Sequence, residues 1–398
     1  MSTVATSAPD IDEVEELARA AADWLLLAPS PDLSLYHGIP GIVLALHEAR
    51  VHFDDHRYDA TIERGLDRLA AGVATADNAS LHFGLAGMAY CLHQLGRDAA
   101  ARDALTRIRE TFDGQRWNPM FELLMGNAGI GLGALHAGDL DLAIQAVQPY
   151  VGTADRTAHG VNWAVRPTPP RSHHMAHGTL GIACALASVG AAADRPDLVD
   201  LAVLAAEDLI SRNTAGPTDF LVPHSDPPHR PDIIERFSYG WCNGPAGDAQ
   251  LFRLLAHLTG HERWVELQDR CWTTVTESGL PHRVRPGFWD NNGHCCGTAG
   301  VLATACDRVV ERGDDLGFAN VLVGDLLARA TVDDDGARWS NHEHRTDPPE
   351  LQPLPGWAMG NAGILRELLR YVRLRREAGA GYAIQWPDQA AAQTFSAE

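Results

Sequence analysis

The sequence has no excess of basic charge. Its formal net charge is −20 at neutral pH, whereas a nucleic-acid partner calls for a basic patch or stripe. That sign excludes nucleic acid as the expected partner. It leaves a solvated acidic surface, or one that attracts a basic peptide. No run of about 18 apolar residues is present, so no membrane span is expected. The start, MSTVATSAPDIDEVEE, lacks a basic segment followed by an apolar one, and the cytoplasm is the default expectation. Strand-type alternation never extends beyond a few residues, which argues against a β-rich fold. GxxxxGK followed by Ser or Thr, H-E-x-x-H, G-x-S-x-G and a C-x-x-C tetrad are all missing. The chemistries those motifs carry therefore have no anchor here. The seven cysteines, an odd number without an export signal, fit free thiols or metal ligands better than a disulfide framework.

Glycine, by contrast, is placed with regularity. Seven segments have the form G-x-x-G: Gly38–Gly41, Gly84–Gly87, Gly126–Gly129, Gly178–Gly181, Gly244–Gly247, Gly297–Gly300 and Gly360–Gly363. Their first glycines are 46, 42, 52, 66, 53 and 63 residues apart, and each pair opens a small or apolar run such as GTLGIACALASV. That recurrence is a repeat architecture. Between the pairs lie amphipathic segments near 58–75, 98–111, 138–150, 196–213, 260–279 and 317–331, and IDEVEELARAAADWLLLA (11–28) precedes them all. The small-residue helices should be buried and the charged-faced ones should lie outside. Glycine at each inner-helix mouth permits close approach where seven helices converge. The expected fold is all-α, a closed α/α toroid of seven helix-pair repeats. Stacked repeats let 398 residues form one domain. We expect a disordered start at 1–10, the toroid over 11–380 and a C-terminal tail at 381–398.

Four connections are long, near 151–177, 214–243, 280–296 and 332–359, and long ordered loops are often functional. In an alternating toroid they share one face with the residues just before each glycine pair. Trp163, Trp241, Trp289, Trp339 and Trp357 fall in or beside them, either filling loop cores or contacting a peptide. Three cysteines reach that face: Cys242 in YGWCNGPAG, and Cys295 and Cys296 in NNGHCCGTAG. Three thiolates suit a tetrahedral zinc site with one open position; redox-active or simply buried thiols are the alternatives. Cys91, Cys184, Cys271 and Cys306 lie within helical runs and are expected to be buried apolar thiols. His177 directly precedes Gly178, with His173 and His174 beside it, and His37 precedes Gly38. His294 and His344 are weaker candidates. Glu122, four residues before Gly126, either orients a histidine or the substrate, or serves the loop. The acidic DDDG (333–336) is an exposed turn.

These residues resemble the lanthionine synthetase C-like family, the cyclases of lantibiotic biosynthesis. The resemblance covers nearly the whole chain. It is carried most specifically by W-C-x-G (Trp241–Gly244), by Cys295–Gly297 and by PGWAMGNAGI (355–364). It implies an α/α toroid with one catalytic Zn2+ held by Cys242, Cys295 and Cys296. Cys296 stands where the commoner pattern has His, a variant known within the family. His177 matches the proposed acid/base histidine, and Glu122 falls where many bacterial members carry Asp. Ser238 stands where the best-known cyclases have Arg, and Asn243 replaces an aromatic residue or His. Arg236 is the candidate for the missing positive charge. Trp241, Asn243, Ser238, His294 and Trp289 are the expected substrate contacts.

The implied reaction is addition of a peptide cysteine thiolate to dehydroalanine or dehydrobutyrine, giving a thioether ring, with His177 protonating Cα. The expected partners are a dehydrated precursor peptide and a separate dehydratase or kinase/lyase. Three rivals remain at this level. One is addition of glutathione or another small thiol to dehydrated protein residues. The second is a peptide-binding scaffold without turnover. The third is a sugar-processing toroid relying on Glu122, Asp226 or Asp290.

Overall fold

The computed structural model describes residues 8–28, 30, 32–282, 291–379 and 381–388. Fourteen α-helices are found among them: α1 (Ile11–Leu27), α2 (Ile39–Phe53), α3 (Asp59–Val73), α4 (Leu85–Gln94), α5 (Asp98–Glu110), α6 (Asn127–His136), α7 (Leu140–Thr153), α8 (Thr179–Ala192), α9 (Pro196–Ser211), α10 (Pro245–Thr259), α11 (Glu262–Glu277), α12 (Thr298–Arg312), α13 (Gly317–Arg329) and α14 (Asn361–Arg375). The even-numbered helices start at the glycine pairs and form the inner layer. In α8, eleven of the twelve positions from Thr179 to Gly190 are buried, whereas α3 and α5 bury one stripe and expose a charged one. This two-layer toroid is the architecture that the repeat pattern predicts.

Each inner helix packs on the outer helix that follows it, and α14 packs on α1. The seventh pair is therefore built from both ends of the chain. Among the described residues the strands form three short antiparallel pairs, β1 (Asp155–Arg156) with β2 (Val161–Asn162), β3 (Arg171–Ser172) with β4 (Ser225–Asp226), and β5 (Thr331–Asp333) with β6 (Gly336–Arg338). The β5–β6 turn carries exposed Asp334 and Asp335.

The turns before the inner helices lock into a ring. The second residue before each first glycine donates its backbone N–H to the carbonyl of its counterpart in the next repeat: Tyr36 to His82, His82 to Leu124, Ala176 to Cys242, Cys242 to Cys295, Cys295 to Ala358, and Ala358 back to Tyr36, at 2.8–3.2 Å. The remaining link differs, because Leu124 N–H donates to the Glu122 carboxylate. One residue earlier in each turn, Leu35, Leu81, Leu123, Met175, Trp241, His294 and Trp357 all point into the barrel and are buried. The second glycine of each pair is wedged between two of them. A Cβ at Gly181 would lie 2.2 Å from Met175 O and 2.9 Å from Leu123 Cβ, and one at Gly41 would lie 2.9 Å from Trp357 Cβ. No side chain fits there without moving the turn.

The barrel axis is plugged from the chain's own end. Residues 381–388, which the sequence pattern assigns to a tail outside the toroid, are packed within it. Tyr382, Ile384, Trp386 and Asp388 are buried. Arg366 donates to Ile384 O, Arg373 to Gly381 O, and Ala383 N–H to Glu48. Their partners lie along the inner helices, and Trp386 stacks on Trp357 with 4.5 Å between ring centroids. The carbonyls of this segment cap buried arginines of α14, a role that its sequence does not announce.

Candidate metal centre

The ring places the residues nearest each glycine pair by position. The third residue before the glycine faces down into the barrel. The second lies in the ring, and the first faces the mouth. Cys242 and Cys295 hold the ring position in neighbouring repeats, and Cys296 holds the mouth position beside Cys295. Cys242 Sγ lies 3.3 Å from Cys296 Sγ, and Cys296 Sγ lies 3.4 Å from Cys295 Sγ. All three sulfurs fall within 4.8 Å of one another and are at most 3% exposed. Bonds of about 2.3 Å to a tetrahedral zinc ion space thiolates roughly 3.8 Å apart. The cluster needs only small adjustments to reach that, and soft sulfur donors suit zinc, so the residues fit the group. Cys91, Cys184, Cys271 and Cys306 are buried apart from it, as expected.

The three thiols are unequal. Hydrogen bonds from Cys242 and Cys296, with a further one from the Tyr36 hydroxyl at 3.3 Å, hold Cys295 well below the ordinary thiol range. Burial pushes Cys242 up, and donation towards its neighbours pushes Cys296 up. Metal capture requires the thiolate form of each ligand. Asn243 Nδ2 donates to Cys242 Sγ at 3.3 Å. Tyr36 went unnoticed in the sequence; its signal is that it occupies the same turn position as Cys242 and Cys295.

The floor is aromatic. His82 stacks on Trp241 at 6.0 Å and meets Trp357 edge-on at 5.6 Å, while Trp241 and Trp357 cross at 5.6 Å. Burial drives His82 down to about 3, so its imidazole is neutral. Above the floor, His177 is half-buried at the mouth, and its Nδ1 lies 3.2 Å from Glu122 Oε2. Glu122 is fully buried. Its two oxygens also accept the Leu124 and Met125 N–H groups at 2.9 Å. The carboxylate thus fills the one gap in the backbone ring and holds the imidazole through Nδ1. The charge of a protonated His177 is felt at Cys295.

Other expected contacts lie elsewhere. His294 is 2% exposed at a barrel-facing turn position, with Nδ1 3.5 Å from Glu367 Oε1; it is a core residue and does not face the mouth. Trp241 is floor and Ser238 is buried. Arg236 is exposed, with its guanidinium over the Phe237 ring at 5.1 Å. It lines an outer cavity of about 760 Å³ together with His159 and Arg212. His174 is an internal anchor, 2.8 Å from Asp248. Trp289 and Asp290 lie outside the described residues. Trp163, Trp339 and Trp357 fill loop cores. No described helix is long and apolar enough to cross a membrane.

The sequence profile described as "Lanthionine synthetase C-like protein" matches residues 29–223 and 229–323. Among curated proteins nothing matches. Among solved structures, nisin cyclase superposes with a TM-score of 0.61 at 15% identity, covering 92% of this chain and 94% of that one. A glycoside hydrolase family 76 mannosidase from Bacteroides thetaiotaomicron gives 0.53 at 11%, covering 92% and 100%. An unsaturated glucuronyl hydrolase specific for heparin gives 0.52 at 12%, covering 92% and 99%. At these identities the likeness is one of fold.

Proposed function

The chain belongs to the lanthionine synthetase C-like family, and from that premise we propose that it is a zinc-dependent peptide cyclase forming lanthionine or methyllanthionine rings. One observation carries the reading: three buried thiols from two neighbouring repeats converge at the mouth of the ring, next to a histidine oriented by a buried carboxylate. Cys242, Cys295 and Cys296 would hold the ion. Bound zinc supplies Lewis-acid stabilisation of a substrate thiolate near neutral pH.

The chain's own residues do the rest. Tyr36 and Asn243 hydrogen-bond the ligand sulfurs and fix their directions. The aromatic floor keeps water from beneath the cluster. A thiolate adds to the β-carbon of dehydroalanine or dehydrobutyrine, and negative charge develops on the carbonyl side. His177, held through Nδ1 by Glu122, delivers a proton from Nε2 to Cα. The substrate is a peptide already dehydrated by a separate dehydratase or kinase/lyase. The acidic surface suits a basic segment of that peptide. A glycosidase reading finds no support at Glu122, whose oxygens are engaged by two backbone N–H groups and His177.

Metal analysis of the wild type and C242A, run beside thiol-loss assays on a dehydrated peptide, tests the proposal. We expect about one zinc per wild-type chain and loss of both metal and cyclisation in C242A. A zinc-free wild type, or a C242A variant with full metal and turnover, overturns it. Added glutathione should not become the favoured nucleophile; if it does, the small-thiol reading replaces this one.

A further inference from the structure

We propose that the Tyr36 hydroxyl, through its hydrogen bond to Cys295, draws negative charge off the three-thiolate centre and so lets that centre accept a further thiolate from the substrate. This inference rests on the cyclase reading above. Each ligand thiolate carries one negative charge, so three of them outweigh a doubly charged ion before any substrate arrives. A peptide thiolate at the open position adds another. The ligand sulfurs belong to residues at most 3% exposed, so little water is at hand to screen that excess. Fixed donors aimed at the sulfurs spread it instead.

Tyr36 is placed to be such a donor. It holds the ring position of the first repeat, and its main chain is tied on both sides. Its N–H donates to His82 O at 2.9 Å, and its carbonyl accepts the Ala358 N–H at 3.0 Å. Its aromatic ring stacks on Phe83 with 5.0 Å between centroids and meets His37 edge-on at 4.5 Å. Backbone and ring together aim the hydroxyl at Cys295 Sγ, 3.3 Å away. Ala358 stands between the two in the ring, accepting the Cys295 N–H at 2.8 Å, and its methyl group leaves the phenol room to reach past.

The hydroxyl has no competing use. Among the described residues Cys295 Sγ is its one hydrogen-bond partner. A phenol is protonated at neutral pH and donates a single hydrogen, and a neutral thiol is only a weak acceptor for it. The bond becomes strong when Cys295 is a thiolate, which is the form that holds a metal. Asn243 serves Cys242 from the next position of the same turn. Tyr36 reaches Cys295 from a repeat 259 residues away in the chain, so this donor exists only in the closed ring.

The test compares the wild type with Y36F, which keeps the ring that packs on Phe83 and His37 and loses only the hydroxyl. Competition against a chelator should show zinc held ~10-fold or more less tightly by Y36F. With cobalt(II) in place of zinc, the sulfur-to-metal charge-transfer band should move to longer wavelength in Y36F, because the hydrogen bond lowers the energy of the sulfur lone pair. A tyrosine that merely packs leaves that band where it is. At saturating zinc, with a synthetic peptide carrying dehydroalanine four residues before a cysteine, Y36F should lose ~10-fold in kcat/KM, mostly through KM. 3-Fluorotyrosine in place of Tyr36, a stronger donor of nearly the same shape, should move the cobalt band to shorter wavelength, and it decides the matter if Y36F misfolds. In a folded Y36F, zinc affinity or kcat/KM within threefold of wild type, or an unmoved band, overturns the inference and leaves the cyclase reading standing. A zinc-loaded wild type that does not cyclise the peptide overturns both.

Discussion

Acid should unfold this protein through histidines that the fold keeps neutral. Burial drives His82 and His224 down to about 3 and His173 to about 2. None of the three is more than 6% exposed. The unfolded value is near 6.5. Each folded value lies below the unfolded one, so the unfolded chain takes up the proton first as pH falls, and stability declines from about pH 6.5 towards pH 3. Between pH 7 and pH 5 each such group forfeits about 2 kcal/mol. Together they forfeit about 6 kcal/mol, a large share of the ~5–15 kcal/mol typical of a native protein. His82→Phe isolates one share. Its ring nitrogens have no hydrogen-bond partner, so an aromatic carbocycle sacrifices no bond and removes one titration. Urea denaturation at pH 7, 6 and 5, with chelator present throughout, should show wild type losing stability steeply. H82F should lose about 2 kcal/mol less over the same range. Equal pH dependence in both proteins, or a flat wild-type profile, refutes the reasoning.

Further outcomes follow from the helices, the ring and its plug. Gly181→Ala should lower the melting temperature sharply, by overpacking of about 1–3 kcal/mol or more, because its Cβ meets Met175 O and Leu123 Cβ. Gly324→Ala in α13 has nothing within 4 Å and should stabilise by about 0.5–1 kcal/mol in the same melts. Glu122→Gln should keep its zinc yet lose ~10-fold or more in cyclisation with an altered pH profile, as expected of a positioning residue; His177→Asn should lose ~100-fold. Truncation after Gly379 removes the Tyr382 hydroxyl from Glu367 and Arg370 and should yield insoluble or strongly destabilised protein on gel filtration.

The helical scaffold was legible because the glycine pairs report a steric fact. Only glycine fits where each inner helix meets two barrel-facing side chains, so the pattern survives in composition alone. The three cysteines were legible for the same reason, being counted from those glycines. Legibility ended where the register within the turn matters. The local sequence makes His294 a substrate contact, whereas its six counterparts, Leu35, Leu81, Leu123, Met175, Trp241 and Trp357, together mark an inward-facing position. Tyr36 was overlooked because its link to Cys295 spans the ring closure between the first and sixth glycine pairs. Arg166 and Arg236 are both loop arginines. A single backbone bond at Val165 sets one beside Glu122, and no local pattern announces it. The plug at 381–388 is too short and irregular to show a helical or strand period, and it pairs largely through its carbonyls and a tyrosine hydroxyl, which hydropathy does not detect.

The pairing of α14 with α1 has a consequence for biosynthesis. Synthesis is vectorial, so α1 leaves the ribosome long before α14, the helix on which it packs. Until then Tyr36 and Ala358 cannot meet, and the backbone hoop that spaces Cys242 from Cys295 stays open. A nascent chain can build its helix pairs one after another, yet the thiols acquire their spacing only when the final repeat arrives. The hoop around the three cysteines therefore closes only once α14 has been made.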